Sequence, residues 1–299
     1  MKAGVVHQAV QVLPFRLREL VLTLPPEQLA SSEEFRLRVG YPLSVVLEDG
    51  EHSLGGRPVE PEDLEQLLER ATRASVHSVL EQLREGFVTI EGGHRIGFCG
   101  TTVVEQGRVT FLKELSSASI RLARQLLGIA SSVAPRLFDE DSLQSTLILA
   151  PPGAGKTSLM RDLIRMISEG EGVPAMRVGV VDPRGELGAA FQGRMQMDLG
   201  RRTDLLNACP KAQGLLMLLR GMNPQVLAVD EITAPEDVQA VRDAAGCGAA
   251  LLATVHGRNR EDLKRRELYR ALIHLGVFRR LVTIDGRGAQ RLYCVEVLE

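Results

Sequence analysis

The sequence has no tryptophan, and its eight phenylalanines and three tyrosines bring aromatic residues to only 4% of 299 positions. Proteins that bind single-stranded nucleic acid commonly stack the bases on aromatic side chains. The formal net charge is −2, whereas a nucleic-acid-binding surface is expected to be strongly basic. We therefore expect no nucleic acid among the main partners.

Long apolar runs and paired cysteines are missing as well. No uninterrupted apolar run approaches the roughly 20 residues that a membrane-spanning helix needs, and residues 1–24 lack the apolar centre and cleavage site of a signal peptide. The four cysteines, Cys99, Cys209, Cys247 and Cys294, have neither a C-x-x-C pairing nor metal-ligand spacing. We interpret them as reduced structural thiols and expect a cytoplasmic protein that does not span the membrane.

Two regions with different patterns follow one another along the chain. Residues 1–125 combine helical spacing with short alternating strands, which predicts a smaller α+β N-terminal domain. A helical stretch over Arg124–Phe138 is interpreted as the interdomain connection, placed at 126–140. From 141 to 299, apolar strands alternate with helices, which predicts an α/β domain with a mostly parallel sheet covered by helices on both faces.

Two local predictions in the first region are specific enough to test. The helical spacing over Pro61–Leu83 predicts one long helix with an interruption near Arg73. Glycine-containing turns divide the apolar segments that follow into separate short strands. These strands are expected at Phe87–Ile90, Arg95–Cys99, Thr101–Val104, Val109–Leu112 and Ser119–Leu122.

The segment from Ala150 to Thr157 reads Ala-Pro-Pro-Gly-Ala-Gly-Lys-Thr and connects a predicted strand to a predicted helix. In that context the backbone N–H groups and the helix N-terminus face the same anion, which predicts a phosphate-binding loop for ATP or GTP. Lys156 is expected to contact the β- and γ-phosphates, and the Thr157 hydroxyl to bind Mg²⁺. Ala150 stands where the motif usually begins with glycine. The expected nucleotide-binding residues are Pro151, Pro152, Gly153, Ala154, Gly155, Lys156, Thr157 and Ser158.

An apolar strand over Val226–Asp230 ends in the adjacent acids Asp230 and Glu231. Ligands of parallel sheets lie at the carboxyl ends of the strands. Asp230 is therefore expected to hold Mg²⁺ with Thr157, and Glu231 to polarise the attacking water. Acids at a strand end are common by themselves, but after a phosphate loop they favour ATP hydrolysis over phosphoryl transfer to a small molecule.

Two neighbouring strands also end in polar residues. The segment Val180–Glu186 ends one strand with the acids Asp182 and Glu186 and the cation Arg184. The acids either contribute to the metal or water site, or Asp182-Pro183 only starts a turn. His256 ends the strand from Leu251 and either senses the γ-phosphate or is an ordinary loop residue.

Arg95 and Arg121 lie in the first region and have two interpretations. They are compatible with solvated charges on strands. A γ-phosphate, however, needs positive charge beyond Lys156 and Mg²⁺, and arginines are the usual source.

The order of these motifs resembles that of the type II and type IV secretion and pilus-retraction ATPases, whose RecA-like domain carries Walker A, an Asp box, Walker B and a His box. The chain more closely resembles the stage III sporulation protein AA family of endospore-forming bacteria within that superfamily. Four stretches carry this closer resemblance: residues 92–100, 200–204, 209–213 and 247–256. Two departures are that no second acid directly follows Asp182 and that no Asn or Gln follows His256.

The resemblance implies a ring-shaped homo-hexamer that binds ATP and Mg²⁺ between its two domains. It implies that Arg95 and Arg121 reach the γ-phosphate, that Glu186 is a catalytic Asp-box residue, and that His256 is the His-box histidine. It also implies a motor ATPase in the mother-cell cytoplasm, peripheral to the membrane, whose partners are membrane proteins of a channel complex between mother cell and forespore. The alternatives are a nucleotide-gated scaffold that hydrolyses little ATP and a RecA-like nucleic-acid motor.

Overall fold

A computed structural model describes residues 2–72, 83–84, 86–286 and 290–298. The chain forms two compact units. The N-terminal unit comprises Met1–Arg124 with Ala189–Gln196, and the C-terminal unit comprises Gln125–Gly188 with Met197–Glu299. In the described ranges, none of the helices combines the length and the apolar character needed to cross a lipid bilayer. The four cysteines are free thiols.

In the N-terminal unit, an antiparallel sheet has the strand order β3-β2-β1-β6-β5-β4. Its strands are β1 (Glu34–Arg38), β2 (Ser44–Leu47), β3 (Gly50–Ser53), β4 (Phe87–Thr89), β5 (Arg95–Glu105) and β6 (Arg108–Arg121). The described helices are α1 (Lys2–Val10), α2 (Phe15–Leu22), α3 (Pro26–Ser31) and α4 (Pro61–Ala71). Alternate strand residues such as Phe35 and Leu37 are fully buried and join the apolar helix faces in one core.

The strands predicted separately between 95 and 122 form a single long hairpin. β5 passes through Gly100 with a shift of register between Cys99 and Thr101. A Cβ on Gly100 would lie 2.7 Å from the Lys113 carbonyl oxygen, so glycine marks a bulge with close backbone approach and not a strand end. The predicted helix over Pro61–Leu83 is confirmed over Pro61–Ala71, and residues 73–82 lie outside the described ranges.

The C-terminal unit is built on a seven-stranded sheet with the order β11-β10-β12-β13-β9-β14-β15. All neighbouring strands are parallel except the final antiparallel pair, β14 and β15. The strands are β9 (Thr146–Ala150), β10 (Val178–Asp182), β11 (Thr203–Asn207), β12 (Val226–Val229), β13 (Ala250–His256), β14 (Arg280–Asp285) and β15 (Leu292–Val297). The helices are α5 (Lys156–Glu169), α6 (Lys211–Met222), α7 (Pro235–Ala245), α8 (Arg260–Arg265) and α9 (Glu267–His274).

Helices cover both faces of this sheet, as its apolar strands predict. In β9, Ile148 packs with α5 in one core, whereas Leu147 and Leu149 pack with α6, α7 and α9 in another. Burial on both faces explains why these strands are apolar at successive positions. The arrangement brings the ends of β9, β10, β12 and β13 to one edge of the sheet.

The predicted helix over Arg124–Phe138 is wrong. The segment contains turns and a short 3₁₀ helix over Ala134–Leu137, followed by a small hairpin of β7 (Phe138–Asp139) and β8 (Ser142–Leu143). Gly128 has φ +78°, a left-handed conformation that ends regular helix. Ala130 and Leu137 are buried in the core of the C-terminal unit.

Candidate functional site

The phosphate loop lies between the end of β9 and the start of α5. Gly153 and Gly155 have φ of +77° and +100°, which glycine adopts without the steric strain of other residues. Gly155 caps α5, so the helix begins with Lys156. The sequence therefore provides a loop whose last turn leads straight into the positive end of a helix dipole, the arrangement used for binding phosphate.

Lys156 is buried at the base of this loop, with only 7% of its surface exposed. Its ammonium group donates to the carbonyl oxygens of Ala150 at 2.9 Å and Pro151 at 3.2 Å, and lies 2.7 Å from His256 Nδ1. Burial lowers the pKa of Lys156, and the nearby carboxylates of Asp230 and Glu231 oppose that shift. Backbone carbonyls and an imidazole nitrogen hold the lysine at the loop, and none of the carboxylates in the described part of the chain bonds it directly.

Asp230 lies where β12 ends and is bonded by two hydroxyl groups. Thr254 donates to Oδ1 at 2.7 Å, and Thr157 donates to Oδ2 at 3.2 Å. Burial raises the pKa of Asp230, and the negative charges of Glu186 and Asp182 raise it further, while the threonine hydrogen bonds lower it. The structure thus joins two predicted Mg²⁺ ligands, Thr157 and Asp230, in a buried region with excess negative charge.

Glu231 has φ +38°, a conformation that is uncommon and strained for a residue with a side chain. Its backbone N–H bonds Thr254 Oγ1 at 2.9 Å and Asp230 Oδ1 at 3.1 Å. Its carboxylate contacts His256 Nε2 at 3.0 Å and the Arg184 guanidinium at 3.6 Å. The bent backbone lets Asp230 and Glu231, although adjacent, take part in different contacts.

His256 connects Lys156 to Glu231. An ammonium group can only donate, so Nδ1 of His256 accepts from Lys156, and Nε2 carries the proton that is donated to Glu231. β13 brings this histidine to the site by pairing with β9, where His256 lies opposite Ala150. The predicted His-box residue therefore bridges the phosphate-loop lysine and the predicted water-activating acid.

Lys211 lies on the first turn of α6 and binds the strained backbone that follows β12. The sequence alone assigned no role to this residue. Its ammonium donates to the Glu231 carbonyl oxygen, to Thr233 Oγ1 at 2.9 Å and to Asp237 Oδ2 at 3.3 Å. Asp237 in turn accepts from the Thr233 and Ala234 backbone N–H groups. The only sequence signal was its place in the stretch 209–213.

Asp182 organises the loop that contains Glu186. Its buried carboxylate accepts from the backbone N–H groups of Glu186, Leu187 and Gly188 at 2.7, 3.0 and 2.8 Å. Arg161 of α5 fixes the same loop by donating to the Glu186 and Leu187 carbonyl oxygens. These contacts fit the turn-starting interpretation of Asp182, while leaving the Glu186 side chain at the site.

A small cleft of about 20 Å³ lies between the ends of β10 and β12. That volume is enough for about one water molecule. The lining residues are Asp182, Pro183, Arg184, Glu186, Lys211, Asp230 and Glu231.

The residues at this edge of the sheet fit a magnesium-bound nucleotide. Burial raises the pKa of Asp230, and the nearby charges of Glu186 and Asp182 raise it further. A bound divalent cation offsets negative charge of this kind. One carboxylate and one hydroxyl are the protein ligands that Mg²⁺ commonly takes beside phosphates, with water completing its shell. The glycine loop and the buried Lys156 ammonium match a polyphosphate.

Arg95 and Arg121 belong to the N-terminal unit, where the structure brings them together. They lie directly opposite each other on β5 and β6. The Arg95 guanidinium stacks over the Phe87 ring at 4.6 Å, and Arg121 pairs with Glu34 at 2.9 Å. The Arg121 side chain remains 70% exposed.

A mostly parallel sheet with a phosphate loop after β9 and an acidic pair after β12, preceded by a smaller α+β unit, defines a RecA-like P-loop fold of the secretion-ATPase type. The X-ray structure of the Yersinia pseudotuberculosis ATPase DotB is similar over 94% of this chain and 78% of DotB, with 15% identity and a TM-score of 0.60. The crystal structure of the pilus retraction motor PilT with bound ADP is similar over 95% of this chain and 81% of PilT, with 17% identity and a TM-score of 0.57.

The chain belongs to the family described as sporulation stage III, protein AA, whose sequence profile matches residues 5–292. It is 36% identical over 286 residues to the stage III sporulation protein AA of Bacillus subtilis (strain 168), covering 93% of this chain and 91% of that protein. The predicted family and fold are therefore confirmed.

Proposed function

We propose that this protein is an ATP-hydrolysing motor of the secretion-ATPase type that acts in sporulation. The observation that carries the proposal is the strained Glu231, which lines a cleft with room for about one water molecule beside the Thr157–Asp230 pair. A carboxylate beside a water site is what hydrolysis requires, because the attacking water must be oriented and must lose a proton.

Each site residue has a defined task in this proposal. Lys156 binds the β- and γ-phosphates, and Thr157 and Asp230 hold Mg²⁺. When bound, Mg²⁺ would offset the negative charge of the phosphates. Glu231 accepts the proton of the attacking water, and His256 keeps that carboxylate oriented through its 3.0 Å hydrogen bond. Glu186 lines the same cleft and contributes a second carboxylate.

Other parts of the proposal rest on the resemblance to secretion ATPases and on family membership. Arg95 and Arg121 supply positive charge to the γ-phosphate, and the protein assembles as a homo-hexamer. It acts from the mother-cell cytoplasm on membrane proteins of a channel complex between mother cell and forespore. The name of the Bacillus subtilis relative, a stage III sporulation protein, supports this cellular setting.

Two substitutions test the proposal through separate measurements of ATP binding and phosphate release. Lys156→Ala should abolish binding, because it removes the cation at the phosphate loop. Glu231→Gln should bind ATP with unchanged affinity but release phosphate at least about 100-fold more slowly, since general base catalysis contributes roughly 10²- to 10⁴-fold. Glu236→Gln, an exposed acid on the first turn of α7, is the matched control and should behave like the wild type.

Three results would contradict the proposal in distinguishable ways. Full activity of Glu231→Gln would remove the base assignment. ATP binding by the wild type without phosphate release above the Lys156→Ala background would favour a nucleotide-gated scaffold. Strong stimulation of hydrolysis by single- or double-stranded DNA would favour a nucleic-acid motor.

A further inference from the structure

Arg291 lies beside the phosphate loop although it comes from the far end of the sequence. It directly precedes β15, which pairs with β14, and β14 runs parallel to β9, the strand that leads into the loop. The guanidinium Cζ lies 2.9 Å from the position that a Cβ on Gly155 would occupy, and Nε and Nη2 lie 3.1 Å from it. The guanidinium group therefore packs directly on the last glycine of the loop.

The Nε of Arg291 is buried and has no hydrogen-bond partner among the described residues. Leaving a buried donor unpaired destabilises a protein, and more so when the group is charged. In native structures such a group calls for an explanation, for example a bound water, an ion or a role in catalysis. The position of Arg291 beside the phosphate loop favours an anion.

Two other arginines of the same unit show how this fold pairs buried guanidinium groups. Arg165 bonds Asp162 and Glu171, and Arg280 bonds Asp139. In each case a carboxylate of the C-terminal unit offsets the charge. Arg291 instead has a glycine loop as its neighbour, so packing of the sheet alone does not account for a charged residue at this position.

We propose that Arg291 is a phosphate-binding residue that the C-terminal hairpin supplies to the nucleotide of its own chain. This inference rests on the proposed function, because it assigns the residue to the same nucleotide. The guanidinium group donates to the diphosphate part of ADP or ATP, alongside Lys156 and the loop N–H groups. The φ of +100° at Gly155 already favours glycine there, and the absence of a Cβ leaves room for the guanidinium to pack on the loop.

Direct calorimetric binding of ADP and of inorganic pyrophosphate tests the proposal, with wild type, Arg291→Gln, Arg291→Lys and Arg279→Ala compared. Loss of a charge-assisted hydrogen bond should weaken both ligands about 10- to 100-fold in Arg291→Gln. Arg291→Lys should fall between, because lysine keeps the charge but lacks the planar fork of donors. Arg279, exposed at the start of the same hairpin, is the control and should leave both affinities unchanged.

Pyrophosphate separates contact with phosphate from contact with the base or ribose. Weaker ADP binding with unchanged pyrophosphate binding in Arg291→Gln would overturn the phosphate assignment, as would unchanged affinity for both ligands. If Arg291→Gln melts well below the wild type without ligand, the test passes to the Arg291→Lys variant. Binding of pyrophosphate by Arg291→Lys with the same affinity as the wild type would overturn the proposal. Failure of the wild type to bind ADP would instead remove the proposed function together with this inference.

Discussion

At the residue scale, Asp230 shows a conflict between stability and ligand binding. Its carboxyl group is buried, and the charges of Glu186 and Asp182 lie close enough to raise its pKa further. A carboxyl group whose pKa is raised by folding stabilises the fold at low pH, and that contribution is lost as the pH rises through the raised pKa. Above that raised pKa the ligand-free protein therefore carries a destabilising charge that Mg²⁺ binding would offset.

Asp230→Asn should therefore stabilise the ligand-free protein by roughly 1 kcal/mol at pH above the raised pKa of Asp230, since the amide keeps the acceptor for Thr254 without the buried charge. The gain should shrink as the pH falls from the raised pKa toward the ordinary value of 3.8, because wild-type Asp230 becomes neutral there. Melting temperatures across this pH range measure the effect. The same variant should lose stabilisation by Mg²⁺ with ADP.

Asp141→Asn is the matched control, because Asp141 is exposed on the turn between β7 and β8. It should change neither the melting temperature nor the effect of Mg²⁺ with ADP. A lower melting temperature for ligand-free Asp230→Asn at every pH of this range would mean that the charge of Asp230 stabilises the fold.

Lys211 should act as a positioning residue for Glu231, because it binds the carbonyl oxygen of that strained residue. In Lys211→Met the Glu231 backbone can relax, and a displacement of about 1 Å should lower kcat roughly 10- to 100-fold. The KM for ATP should change little, since Lys156 and Thr157 are unaltered. Lys211→Arg should restore part of kcat by keeping the donor.

Lys264→Met, at an exposed position in α8, is the control for the loss of a lysine. A purely structural role for Lys211 would lower the melting temperature without separating kcat from KM. Equal proportional changes in kcat and KM would therefore count against positioning.

At the element scale, the sequence predicted the parts of the C-terminal unit whose pattern is local. Helical apolar spacing over Lys211–Met222 and Pro235–Ala245 predicts α6 and α7 with their observed bounds, because left-handed Asn223 follows α6 and Pro235 starts α7. β9, β10 and β12 were predictable because burial on both faces requires continuous apolar runs. β11, α8 and α9 were not predicted, since β11 is half-exposed, α8 is short and highly charged, and α9 has only eight residues.

The site was predictable where its residues are contiguous in the sequence at the end of one strand, as in Asp230-Glu231 and in the phosphate loop. Lys211, Arg161 and Arg291 were not, because their contacts join residues far apart in the sequence. Arg291 lies 2.9 Å from the Gly155 Cβ position only because β15, β14 and β9 are neighbours in the sheet. Such a pairing depends on the strand order, which a local pattern does not give.

Gly214 of α6 allows that helix to approach β10 closely. A Cβ there would lie 2.6 Å from Val181 Cγ1, so Gly214→Ala should destabilise the unit by about 1–3 kcal/mol through overpacking. At an open helix position, by contrast, a change from glycine to alanine stabilises the helix by up to about 1 kcal/mol. Urea-unfolding midpoints with a constant m value measure both effects.

Gly221→Ala, on the same helix with open space at its Cβ position, is the control and should be neutral or stabilising. Val181→Ala should remove the clash, so that Gly214→Ala is no longer destabilising in that background. A Gly214→Ala penalty that persists beside Val181→Ala would show that contact with Val181 is not its cause.

At the scale of the whole molecule, the N-terminal unit is not one continuous stretch of chain. The segment Ala189–Gln196 belongs to it, and there the Gln196 side chain accepts from the Gly92 N–H at 2.8 Å. The chain returns at Met197, whose N–H bonds the Gly188 carbonyl oxygen at 3.2 Å. Gly188 also donates to Asp182, so the loop organised by Asp182 continues directly into the N-terminal unit.

The proposed motor requires assembly, and its mass in solution tests that requirement. With Mg²⁺ and a non-hydrolysable ATP analogue, we expect a mass of about six chains by light scattering, because binding shifts an equilibrium toward the state that holds ligand more tightly. Lys156→Ala should stay at its ligand-free mass under the same conditions, since it lacks the phosphate-binding cation. A monomeric wild type both with and without the analogue would contradict the hexamer, while leaving the binding results for Lys156 and Arg291 intact.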